Sequence, residues 1–327
     1  METGTINEMV LTRSITKHIR KHNRKLLSGT KVGDDYSSID FEDKTLICTE
    51  GWGKTPFYAW QKAMNNMWVS GGQPEGVRLA FLLPCSVDEN AIKSYMSEFN
   101  RLADAENIQI MGGNTVVDYC YNAPTFMVNV MGISIGYSRR LKNINPGAQI
   151  VMTKYTGILG NDMIVDSKRG TLGKRLPLSY IEDGYFGSQM YSIKKEAAIG
   201  AVRDDVYYMH DISTGGLYGA LWQLASALNK GVDVNHYDIP IKQHTIEFCE
   251  IMNLNPYMMD GTGAALMVTD DGEGLCKNLA KNHIPACVIG KITRDKDRII
   301  RMGNGYDKRF LNPYLGDEIN KIFPHMD

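Results

Sequence analysis

Short apolar runs alternate along this chain with segments of helical period, and that alternation restricts the fold more than any other feature. "TLICTEGW" (45–52), "VRLAFLLP" (77–84), "IQIMGGNT" (108–115) and "APTFMVNVMGISIG" (123–136) read as strands, being short, β-rich and bounded by glycine, proline or polar residues. Between the first two, Trp60, Ala63, Met64, Met67 and Trp68 share one helical face, and Gly71, Gly72 and Pro74 close that helix. Ser86 and Glu89 have capping-box spacing ahead of a helix carrying Ile92, Tyr95, Met96, Phe99 and Leu102.

The pattern restarts at "NPGAQIVMT" (145–153), after the basic connector "YSRRLKN" (137–143). A helix around 186–200 and the strand "DVYYMHDI" (205–212) follow. Leu217, Ala220, Leu221, Leu224, Ala225 and Leu228 then recur at helical spacing up to Gly231. A helix at 244–253 and the unit "GLCKNLAKNHIPACVIGKIT" (274–293) complete the half. The expected fold class is α/β (α+β), in two domains, 1–144 and 145–327; 327 residues exceed what one core usually supports. "NEMVLTRSITKHIRKHNRKLL" (7–27) reads as a basic amphipathic helix. "SKRGTLGKRLP" (167–177) reads as a loop whose Lys168, Arg169, Lys174 and Arg175 offer a phosphate clamp.

Composition excludes several function classes. A net charge of −1 supplies no global field for nucleic acid or anionic membrane. No apolar run approaches the roughly 18 residues needed to span a bilayer, and the N-terminus lacks a signal-peptide pattern. Six scattered cysteines without a CxxC pair fit a reducing cytoplasm.

Three stretches carry candidate chemistry. In "KVGDDYSSIDF" (31–41), Asp34 and Asp35, with Asp40 nearby, form either an acidic turn or a magnesium site of hard oxygen ligands. In "IMGGNT", Gly112 and Gly113 allow close backbone approach, and Asn114 and Thr115 add polar atoms; a structural turn explains the same residues. In "YMHDISTGGLYGAL", Ser213, Thr214, Gly215 and Gly216 stand at a helix start, where free N–H groups and the dipole favour an anion. Ser213 and Thr214 either cap that helix or donate to a phosphate, and His210 and Asp211 end the preceding strand. Neither a Walker A motif nor GxGxxG is present.

Taken in order, these motifs resemble the aminoimidazole-ribonucleotide-synthetase-related superfamily, which includes PurM, HypE, ThiL and SelD proteins; the pattern is most like HypE-like hydrogenase maturation factors. "VGDDYSSIDF" resembles the family's GDDAAVI segment, "MGGNT" its GGDT, and "HDISTGGL" (210–217) its HDxTxGGL. "ICTEGW" stands where the family has its TD strand, and "IMNLNPYMMDGTGAALMV" where it has its AxEG region. The resemblance implies a PurM-like fold with an ATP-binding N-terminal domain whose sheet pairs across a homodimer. It further implies ATP and Mg2+ as cofactors and phosphoryl transfer to a carbonyl, amide or other oxygen of an acceptor it does not name. Metal would fall to Asp34, Asp35, Glu50, Asn66 and Asn114. Nucleotide would fall to Gly112, Gly113, Asn114, Thr115 and Ser213–Gly216, and catalysis to His210 and Asp211. Asn66, Asn114 and Thr262 replace family carboxylates, and "KIFPHMD" lacks the cysteine on which HypE carries its carbamoyl group. Those departures leave a rival: a nucleotide-binding homodimer that acts as a scaffold or maturation partner.

Overall fold

A computed structural model describes residues 8–19, 25–28, 36–134, 144–303, 307–313 and 316–323. These fall into two units: 25–28 with 36–134, and 8–19 with 144–323. The N-terminal helix is shorter than its pattern predicts. Helix α1 spans Glu8–Ser14, a 3-10 turn follows at Thr16–His18, and Leu26–Ser28 is already strand β1. Consecutive β-branched Ile15 and Thr16 stand where the α-helix stops, consistent with their low helix propensity.

The first unit continues with β2 (Ser37–Phe41), β3 (Lys44–Gly53), α2 (Pro56–Val69), β4 (Gln73–Leu83), α3 (Glu89–Glu106), β5 (Gln109–Val117) and β6 (Thr125–Ser134). Its sheet runs β1-β2-β3-β6-β4-β5, antiparallel except for the β4–β5 pair. Strand β6 alternates strictly, burying Phe126, Val128 and Val130 on one face. Phe126 and Phe99 from α3 pack on Phe81, with centroids 5.2 and 5.5 Å from it. Helix α2 starts with Thr55 accepting from the Tyr58 amide and Pro56 at the first helical position. It lies so close to β3 that a Cβ on Gly51 would come 2.3 Å from Ala63 N. The expected Ser86–Glu89 box does not form; Asp88 caps α3 by accepting from Ala91 N at 2.7 Å.

The second unit holds β7 (Gln149–Thr153), α4 (Ile158–Leu172), α5 (Leu178–Asp183), α6 (Lys194–Ala201), β8 (Val206–Ile212), α7 (Gly216–Leu228) and β9 (Gly231–Asn235). Then come α8 (Gln243–Met252), β10 (Ala264–Thr269), α9 (Gly272–Lys281), β11 (Ala286–Thr293), β12 (Arg298–Met302) and β13 (Asp307–Phe310). The sheet order is β13-β12-β9-β11-β7-β10-β8, and only β9–β12 is parallel among the described pairings. Every residue of β10 is buried between β7 and β8. Two helix expectations change here. The 167–177 "loop" is mostly helix, α4 bending at Lys168, and Arg169 is held by Glu182. The helix expected at 186–200 begins only at Lys194, after a 3-10 turn at Ser188–Met190.

Candidate active site

Strand β8 delivers His210 and Asp211 to a tight turn before α7. Gly216 N donates to Ser213 O at 3.0 Å, closing that turn, and both glycines have positive φ, 88° at Gly215 and 63° at Gly216. A Cβ on Gly216 would lie 2.6 Å from Met259 O and 2.7 Å from Tyr257 O, so glycine is required by close approach as well as by conformation.

The first turn of α7 is not capped by Ser213 or Thr214, contrary to one expectation for those hydroxyls: the N-cap is Gly215, which has no side chain to offer. Its amide instead donates to Asp317 Oδ2 at 2.8 Å, from a residue 102 positions away. Asp317 also accepts from the amides of Asp260 and Ile319, and it is buried. The anion that the helix start favours is therefore a carboxylate of the same chain. Sequence reasoning missed Asp317; its only local signature is an aspartate opening a short helical turn.

His210 is fully buried, its Nε2 lying 3.2 Å from Gln223 Oε1 on α7 and its Nδ1 3.9 Å from Asp211 Oδ1. Through Gln223 it ties β8 to α7. Strand β8 is also an antiparallel edge strand, so the parallel-sheet rule that places ligands beyond strand ends does not apply to it.

The Asp260–Gly263 turn packs beside this start. Asp260 Oδ1 accepts from the Thr262 amide and, at 2.6 Å, from its hydroxyl, while Gly261 N donates to Ser213 O. Lys154, also missed, anchors the same turn. Its Nζ donates to the carbonyls of Met190, Ser192 and Gly263 and lies 2.7 Å from Glu196 Oε1. Burial draws this ammonium below the usual lysine range, and the Glu196 carboxylate opposes that shift.

Asp34 and Asp35 lie outside the described residues. Glu50 and Asn66 are brought together: Asn66 Nδ2 donates to Glu50 O at 3.1 Å, so the carbonyl oxygen of Asn66 is the atom a cation would take. Asn114 is less available, because its Oδ1 accepts from the Thr115 amide at 2.9 Å. Gly112 and Gly113 do not form a turn. They sit inside β5 next to a bulge opposite Val77 and Arg78, and a Cβ on Gly113 would come within 1.9 Å of Leu79 O. Asp40 stays on β2, its Oδ1 buried without a partner among the described residues. No group of three or more metal-ligating side chains occurs among the described residues.

Residues 145–303 match the family described as AIR synthase related protein, C-terminal domain. That second part of the chain is similar to AIR-synthase-related proteins. Over most of the chain, similarity runs to HypE proteins. Carbamoyl dehydratase HypE of Rhodobacter capsulatus is 22% identical over 275 residues, 79% of this chain and 76% of the relative. A crystal structure of a HypE–HypF complex superposes with a TM-score of 0.74 at 15% identity, covering 93% of this chain and 99% of that one. A structure of the hydrogenase maturation protein HypE with ATP gives 0.68, also at 15%, covering 93% of each chain. The PurM-like, two-domain α/β fold expected from the motifs is the fold observed.

Proposed function

We propose that this chain is an ATP- and magnesium-dependent enzyme that transfers the terminal phosphate to a carbonyl, amide or other oxygen of a small or protein-borne acceptor. The observation that carries the reading is the β8–α7 junction. It keeps a positive-φ glycine pair, a Thr214 hydroxyl and a helix start within a fold shared over 93% of the chain with a HypE solved with ATP. In the first unit the Asn66 side chain donates to the Glu50 backbone carbonyl, which leaves the Asn66 amide oxygen as an oxygen donor for a hard cation. Bound there with Asp34 and Asp35, magnesium would neutralise phosphate charge, the main demand of phosphoryl transfer.

The chain's own residues have separable tasks in this reading. His210 holds the turn through Gln223, Asp317 occupies the Gly215 amide, and Thr214 supplies a donor to the phosphoryl group. A homodimer joined through the first unit's sheet belongs to the same proposal.

Calorimetric titration of ATP with and without magnesium tests it, on wild type and on the Asp34→Asn/Asp35→Asn double variant. Few formal charges remain to hold the cation beside Asn66 and Asn114, so the variant is expected to lose magnesium-dependent ATP binding and turnover while melting within a few degrees of wild type. Undiminished magnesium-dependent binding would overturn the metal assignment and favour the nucleotide-binding scaffold.

A further inference from the structure

The second unit contains a cavity of about 500 Å³ beside the start of α7. Sites for small ligands typically enclose roughly 300–1,000 Å³. Gly215 and Tyr218 at the start of α7 form one wall; His236, Tyr257, Arg309 and Phe310 contribute to the others. The Tyr218 and Tyr257 rings are stacked, with centroids 5.3 Å apart and planes 13° from parallel. His236 leans on Tyr257 at 4.8 Å. An aromatic wall of this kind favours a further planar ring in offset or edge contact.

The polar atoms are few and specific. Arg309 is the charged residue of the lining and makes no ion pair or side-chain hydrogen bond with any described residue. Burial pushes the Tyr218 hydroxyl up to about 12 and raises that of Tyr257, so both are neutral. Burial, and then the Arg309 cation, push His236 below its ordinary value, so its ring is neutral as well. Its Nε2 faces the Tyr257 hydroxyl at 3.4 Å, and its Nδ1 is buried with no hydrogen-bond partner among the described residues.

We propose that this cavity binds a small, planar aromatic anion, its ring against the Tyr218–Tyr257 stack and its acid group on the Arg309 guanidinium. A guanidinium matches carboxylate and phosphate alike, so the shared chemistry is a ring bearing an acidic oxygen group. The site does not depend on the nucleotide reading, because none of its contacts requires ATP.

Ligand-observed NMR titration of the full chain, without nucleotide, tests it with benzoate, phenyl phosphate, benzamide and benzylamine. Saturable binding of the two anions, at least tenfold tighter than of the amide or the amine, is expected. The tighter of the two anions identifies the acid group. Arg309→Gln, an exposed and unpaired position, should fold normally and weaken the anions about tenfold or more, matching loss of one charge-assisted contact. Tyr257→Leu should weaken every ring-bearing probe that binds. No saturable binding up to millimolar concentration, equal binding of benzoate and benzamide, or unchanged benzoate affinity in Arg309→Gln would each overturn the proposal.

Discussion

Asp317 shows how one side chain reassigns a motif. Its carboxylate accepts three backbone N–H bonds, from Gly215, Asp260 and Ile319, and so joins the α7 start, the Asp260 turn and the last helical turn. Asp317→Ala leaves those donors buried and unpaired, which costs about 1–3 kcal/mol for an unsatisfied group. Urea unfolding should show that loss; an unchanged midpoint would mean the amides find other acceptors. Tyr218 gives a second test at this scale. Its folded pKa, up to about 12, exceeds the ordinary value of 10, so the neutral phenol favours the folded chain. That contribution is complete below pH 10 and is lost as pH rises toward 12, where the unfolded chain ionises first. Thermal melts across this range should fall less steeply for Tyr218→Phe than for wild type.

At the scale of elements, the β8–α7 junction separates fold from function. Gly216→Val meets two backbone carbonyls and a φ of 63°, so the variant should unfold or lose several kcal/mol whatever the turn binds. Thr214→Val removes one hydroxyl at similar shape. Magnesium-ATP affinity is expected to drop several-fold with little change in melting temperature. If stability falls while nucleotide affinity holds, the hydroxyl serves only the turn. The strand–glycine–helix junction itself was legible, because apolar period and glycine placement are local properties. The capping of α3 was not: both Ser86 and Asp88 suit an N-cap, and only the backbone path selects Asp88.

The whole molecule bears on assembly. Strands β4 ("VRLAFLLP") and β6 ("FMVNVMG") are interior strands with neighbours on both sides, so neither offers an edge to a second copy. The open edge next to β4 is β5, where Met111 and Val117 are 43% and 51% exposed. An uncovered apolar edge is a template for another strand, so the proposed homodimer is expected to use β5. An obligate interface of this kind typically buries above about 2,000 Å². Light scattering at micromolar concentration should give a dimer mass, and Val117→Lys should shift it toward monomer. A wild-type monomer would count directly against pairing. By itself the sequence determined the succession of helices and strands, the α/β class and the glycine turn before α7, since each depends on residues a few positions apart. Only the tertiary structure decided which strands are edges, why His210 is enclosed, and that Asp317 meets Gly215. Those follow from contacts between separate elements, up to 102 positions apart for Asp317 and Gly215, and no local periodicity records which distant groups the closing sheet brings together.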